Sequence, residues 1–333
     1  MDFGFTEDQL AFRDAVRDLL RDRCPPAAVR AAWSGGTGID ADLWHALGAM
    51  GILGMLGPPD LGGLGLNEVD LVLILEETGR AAMPGPVVEH TAVGVPALTG
   101  TGHDDVVARA VAGQSVITCA PSADRVGWAL AADHLIVGDG DRLRLLAPAD
   151  ITASHALETV DRSRRDMAIG WSGGELLDRA DVGLARDRAA LGTAAQLCGL
   201  ATHLIEVTVD YAKARRQFGV AIGTYQALKH HLANATLLLE HARPAVYRAA
   251  WTVATGGSER ERDVSMAKAM AGDAAARAAR VALQCHGAIG YTWEHDLHLW
   301  MKRVWTLERA WGGTAYHRAR VADAVLGGPA ARA

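Results

Sequence analysis

The sequence predicts a mainly α protein with a small β domain. An N-terminal helical domain is expected over residues 1–110, a middle β domain over 111–183 and a C-terminal helical bundle over 184–333. Three observations predict this. Apolar residues recur at helical spacing before residue 110, short β-type runs replace them after Gln114, and long Ala-rich stretches follow Ala185.

Thr6 followed by Gln9 reads as a reciprocally capped helix start, and Leu10, Phe12, Val16, Leu19 and Leu20 give that helix one apolar face. It should stop before Pro25-Pro26. A second helix is expected over 41–50, and a third over 68–80 with Val69, Leu71, Val72, Leu75 and Glu76 in a dense pattern. Between them, the glycines of 60–66 lack P-loop spacing and read as turn formers. The β-type runs are 115–119, 129–131, 134–137 and 143–146, with Gly138 to Asp141 as a hairpin turn. Four long helices then fit about 187–217, 225–254, 259–287 and 306–326, as a four-helix bundle. Pro244 should kink or break the second of these.

The chain of 333 residues is half hydrophobic, ample for a large core. A net charge of -6 with mixed signs gives no reason to expect nucleic acid or an anionic membrane. Cys24, Cys119, Cys198 and Cys285 have neither metal-ligand nor disulfide-framework spacing and read as small buried hydrophobes. The N-terminus has early acids and no signal-type apolar run, and no stretch is long and apolar enough to span a bilayer. A soluble cytoplasmic protein is the expectation.

Two segments carry chemistry. In Tyr211 to Gln226, Arg215 and Arg216 sit at a break between helices, beside Phe218-Gly219. A guanidinium there can pair bidentately with phosphate and the ring can cover an apolar ligand face; the same residues also suit an ordinary helix end. Near the C-terminus, Gln284-Cys285-His286-Gly287-Ala288-Ile289-Gly290-Tyr291 forms a Gly-bearing turn. Together the segments resemble the acyl-CoA dehydrogenase family, whose signatures are Arg-x-x-Phe-Gly followed closely by Gln, and later Gln-x-x-Gly-Gly-x-Gly-Tyr/Phe. The run from Pro58 through Ala81 also resembles that family's first helical domain, and Asp161 to Asp166 resembles the end of its β domain.

The resemblance implies FAD as cofactor, an acyl-CoA substrate and an electron-acceptor flavoprotein as partner. It implies that Arg215 contacts the FAD pyrophosphate held by a neighbouring subunit, with Phe218 packed beside the cofactor and Gln226 supplying a hydrogen bond. Gln284, Cys285, His286, Gly287 and Ala288 would wrap the adenosine end, with Ala288 in place of the usual second Gly. The family's reaction needs a carboxylate to take the α-proton while the β-hydride goes to flavin. At the position of the usual Glu this chain has Gly312, within Trp311-Gly312-Gly313-Thr314. Asp187 lies near the alternative position of the base but is offset by two residues, so it faces elsewhere on its helix. The flavin-holding segments of the family's β domain are missing; Ala120 to Asp124 is only a poor counterpart, and the domain looks reduced.

Glu294-His295-Asp296 reads as helix capping and packing rather than a catalytic triplet. His230 and His231 are adjacent on a helix and cannot converge on a metal. The pattern resembles the short subunits of heteromeric acyl-CoA dehydrogenases, two-plus-two tetramers acting on steroid-derived thioesters, in which a second subunit carries the base. Two alternatives stay open: a homo-oligomeric enzyme with a displaced base such as Asp187, and a scaffold that has lost FAD.

Overall fold

The computed structural model describes residues 4–327. Helices α1 (Glu7–Arg23), α2 (Pro26–Ser34), α3 (Ala41–Ala49) and α4 (Glu68–Arg80) open the chain. The Thr6/Gln9 capping box is present in both directions, and α4 starts on a second one, Asn67/Asp70. Helix α2, begun by Pro26 at its first position, was not expected from the sequence. A π-helical segment (Val88–Gly94) then runs into α5 (Val95–Leu98), and α6 (Asp104–Val111) follows.

Strands β1 (Ile117–Ala120), β2 (His134–Asp139), β3 (Arg142–Leu146) and the short β6 (Glu175–Leu176) form one sheet in that order, with β1 parallel to β2 and the others antiparallel. The expected hairpin turn is Gly140-Asp141, closed by the Asp139–Arg142 pair. Strands β4 (Ile151–Ala156) and β5 (Met167–Trp171) form a second, two-stranded sheet. The run 129–131 is a 3-10 turn rather than a strand, because Trp128 before it holds a left-handed backbone that ends any extended run.

Helices α7 (Val182–Ala214), α8 (Gln226–Ala254) and α9 (Arg260–His286) make the body of the bundle. Helix α8 runs through Pro244 without a break. The expected helix 306–326 is two, α10 (Leu297–Arg309) and α11 (Thr314–Leu326), because Trp311 and Gly312 both adopt positive φ. One hydrophobic core is shared by the N-terminal helices and the bundle, and a smaller one lies within the β region.

Helix α4 is the hub of the larger core. Its Glu77 receives Arg17 from α1, Glu68 receives Arg188 from α7, and Glu76 receives Arg243 and the Tyr247 hydroxyl from α8, all within 3.0 Å. Its backbone also lies directly on α7. A Cβ at Gly199 would fall on the Glu76 carbonyl, and one at Gly79 would fall on the Gln196 carbonyl, so only glycine fits at either point.

His90 pins the π-helical segment to the sheet. The Ile117 N–H donates to its Nδ1 at 3.0 Å, and its Nε2–H donates to the Ala110 carbonyl at 3.2 Å. Burial lowers His90, His203, His298 and His317 each to about 4. An unfolded chain takes up a proton at each near pH 6.5, whereas the fold resists until about pH 4. Stability is therefore expected to fall as pH drops through that window, by about 3 kcal/mol for His90 alone. Melting temperatures measured from pH 7.5 to pH 4 check this; a flat profile would contradict it.

Candidate functional site

Helix α7 ends at Ala214 with the Arg215 N–H bonded back to Tyr211. Two-residue strands β7 (Arg216–Gln217) and β8 (Val220–Ala221) then form a hairpin around Phe218-Gly219. Both loop residues have positive φ, +52° and +83°, the geometry of a tight hairpin turn. For a ring-bearing residue that backbone is strained. Phe218 is nevertheless 93 % exposed, forgoing about 2 kcal/mol that its burial would contribute.

Arg215 is exposed and has no carboxylate partner among the described residues. Gln226, the first residue of α8, is exposed too, and that helix starts with no side-chain cap. Its leading N–H groups and the Arg215 guanidinium therefore place positive charge around one hairpin.

The second predicted segment meets the first. The Tyr211 ring stacks on His286 at 4.2 Å, and His295 packs on both rings at 6.4 and 5.0 Å. His286 is buried, with its Nδ1 hydrogen-bonded to the Ala282 carbonyl, so it holds the turn from behind. Gln284 and Ala288 are exposed and Cys285 is half-buried. Gly287 has φ +67° with open space where a Cβ would lie, as does Gly219. An exposed cation, two open glycines and an uncapped helix start suit a phosphate-bearing cofactor approaching from outside the chain.

A second region holds the Gly312 loop. A cavity of about 610 Å³ lies between the β region and α10, lined by Ala120, Pro121 and Ser122 on one side and Trp311 on the other. The run Ala120 to Ser122, part of the poor counterpart noted above, and Trp311 beside Gly312 thus face one space. Its interior is ionic. Arg164 donates to Asp166 at 3.1 Å, Arg125 donates to the other Asp166 oxygen at 2.8 Å, and Glu89 lies 3.7 Å from the Arg164 guanidinium. Burial pushes the Glu89 carboxyl up, opposed chiefly by the Arg164 guanidinium. Ala120, Pro121, Val160, Trp305, Ala310 and Trp311 give the lining an apolar part as well.

Glu89 is the functional candidate that sequence reasoning missed. Its signal was a lone acid inside the apolar run Val87 to Val95. Asp187 is not at this cavity. It is 1 % exposed, with one oxygen taken by Arg260 at 2.9 Å and the other by Arg320 at 3.2 Å, tying α7 to α9 and α11.

The Gly312 loop is held from below. Lys268, fully buried, donates to the carbonyls of Leu307, Glu308 and Gly312 at 3.0–3.1 Å. Burial lowers its ammonium to about 7, with Glu308 opposing. Replacing it with Met leaves three carbonyls unpaired, and a loss of about 3 kcal/mol in urea unfolding is expected.

The domain descriptions "Acyl-CoA dehydrogenase, N-terminal domain" and "Acyl-CoA dehydrogenase, C-terminal domain" match residues 6–113 and 179–326. Acyl-CoA dehydrogenase IpdE2 of Mycolicibacterium smegmatis is 33 % identical over 300 residues, spanning 90 % of this chain and 93 % of that protein. This chain belongs to the acyl-CoA dehydrogenase family. A second IpdE2, from Mycobacterium tuberculosis, is 32 % identical over 90 % of this chain and 91 % of its own. Among solved structures, a chain of the ChsE4-ChsE5 complex from Mycobacterium tuberculosis superposes with a TM-score of 0.89 at 24 % identity, covering 99 % of this chain and all of that one. The Tcur3481-Tcur3483 steroid acyl-CoA dehydrogenase variant gives the same TM-score and identity over 96 % and 98 %. These acyl-CoA dehydrogenases share the mainly α fold with its small β region, and FAD is the family's cofactor. Among the described residues no helix is long and apolar enough to cross a membrane.

Proposed function

We propose that this acyl-CoA dehydrogenase chain is the base-deficient subunit of a two-chain enzyme that desaturates a bulky, steroid-type acyl-CoA. It contributes Arg215, Phe218, Gln226 and the Gln284 turn to FAD held mainly by a partner chain that carries the base, and an electron-acceptor flavoprotein reoxidises the complex. The observation that carries this reading is Phe218, strained and almost wholly exposed beside an unpaired Arg215. Such a residue has no role inside its own chain. Gly312 at the base position and the exposed Leu237, Leu238 and Trp251 on α8 agree with it. The steroid-type substrate and the second subunit rest on the solved complexes named above, which share the fold.

The test is co-purification with neighbouring dehydrogenase subunits and measurement of flavin absorbance per chain. About one FAD per pair of unlike chains, and little in the lone chain, is expected for a shared site. Stoichiometric FAD in the lone protein counts against it.

A second reading has one observation in its favour: Glu89 lines the cavity with a raised pKa, as a displaced base requires. On that reading the lone chain holds FAD and oxidises an acyl-CoA, and Glu89→Gln abolishes turnover.

A further inference from the structure

The Arg215 hairpin and the Gln284 turn share no hydrogen bond or ion pair among the described residues. Three rings tie them together instead. Tyr211 lies on the last turn of α7, and its carbonyl accepts the N–H of Arg215, so its ring and the hairpin are joined by one turn of backbone. That ring stacks on His286 of the Gln284 turn, 4.2 Å away and 22° from parallel. His295, in the loop before α10, meets His286 at 5.0 Å and Tyr211 at 6.4 Å, edge-on to each.

Neither imidazole is placed to carry a charge. The Nδ1–H of His286 donates to the Ala282 carbonyl at 2.8 Å, and its Nε2 has no hydrogen bond among the described residues. Burial, and then the nearby His295, hold His286 below its ordinary pKa. His295 uses its bare Nδ1 to accept the N–H of Leu297, the first residue of α10, at 3.1 Å. A proton on that nitrogen would break the bond and set a cation at a helix N-terminus. No carboxylate is bonded to either ring. Asp296 is taken by Arg30 at 2.6 Å, Asp210 on α7 faces Lys213 at 3.5 Å, and Glu294 is exposed. On α10, His298 feels the charge of His295 as well. Once protonated, the two imidazoles repel across 5.0 Å with no counter-charge bonded to either.

We propose that Tyr211, His286 and His295 form a positioning clasp that registers the Arg215 hairpin against the Gln284 turn, and that proton uptake by the two imidazoles opens it and releases FAD. The inference rests on the reading that both segments meet one FAD. Tyr211 and His295 act through the segments they hold rather than on the cofactor. The closed clasp keeps its full advantage above about pH 6.5, the ordinary range of an imidazole, and loses it as pH falls below.

The test uses the mixed complex, with flavin retained after gel filtration measured from pH 8 to pH 5.5. Beside it, hydrogen exchange of the lone chain is followed over the same range and corrected for the intrinsic effect of pH. FAD affinity is expected to drop about tenfold between pH 7.5 and pH 5.5, and peptides covering 211–222 and 284–291 should lose protection together. Tyr211→Leu should weaken FAD about three- to tenfold already at pH 7.5, while Tyr211→Phe keeps the stack and the affinity. His295→Asn keeps an acceptor for the Leu297 N–H, as an Asx turn does, and removes one of the two charges. Its flavin loss should shift to about one pH unit more acid. A merely structural His295 would change the melting temperature and leave that profile where it was. Flavin and protection that ignore pH, or an unshifted profile in folded His295→Asn, overturn the inference. Flavin lost from Arg215→Ala alongside either result leaves the subunit reading standing. Full flavin in Arg215→Ala, with the clasp opening in the lone chain as expected, overturns that reading and the release of FAD with it.

Discussion

Arg215→Ala is expected to leave the mixed complex assembled but depleted of flavin. The guanidinium is exposed and has no polar partner among the described residues, so its removal should not alter the melting temperature of the lone chain. Its loss removes a charge-assisted pair to a phosphate, about 1.5–3 kcal/mol or roughly 10- to 100-fold in FAD affinity. Arg215→Lys restores the charge without the planar fork and should recover only part of that. Phe218→Ala should weaken FAD about tenfold; it keeps the Cβ, so the backbone strain stays, whereas Phe218→Gly should also relieve it and give a slightly more stable lone chain. Flavin absorbance per complex after gel filtration reads these variants. Full flavin content in Arg215→Ala sinks the proposed role of the hairpin.

Gly312→Glu, which writes the family's usual base back into the chain, is expected to fail as a gain of function. A Cβ at 312 lies 2.5 Å from Cδ1 of Tyr316 and 2.8 Å from Nε2 of His317, at a φ of +100° that side-chain-bearing residues rarely adopt. The loop cannot slide to make room, because Lys268 grips the Gly312 carbonyl and His317 bonds the Trp311 carbonyl at 3.0 Å. A loss of about 3 kcal/mol or more in unfolding free energy is expected. Acyl-CoA oxidation by this variant without a partner would show that the missing carboxylate was the lone chain's only deficit, contrary to the proposal.

Much of the helical frame was legible. Helix α4 announced itself through its dense apolar period, and it forms over the expected residues. The split between α10 and α11 was not legible, because it depends on Trp311 taking a left-handed backbone that nothing in its side chain requests. At Pro244 the helix continues unbroken, its packing against α9 and α7 outweighing one lost backbone bond. At the hairpin, residue identity suggested a ligand contact, but only three dimensions show that Phe218 points away from its own core. Glu89 escaped notice because its partner Arg164 is 75 positions distant, a pairing made by the fold alone (164 minus 89).

The glycine crossing of α4 on α7 bears on how this chain can be engineered. Where two helices touch backbone to backbone, the seam tolerates no added carbon on either side, and each helix supplies the other's missing surface. The bundle is consequently not a module that can be lifted out and grafted onto another front half. Only a front half bringing glycine at the same crossing, with acids placed for Arg188 and Arg243, would seat it. Chimeras between this chain and its relatives should therefore exchange α4 and α7 together, treating residues far apart in sequence as one inherited piece.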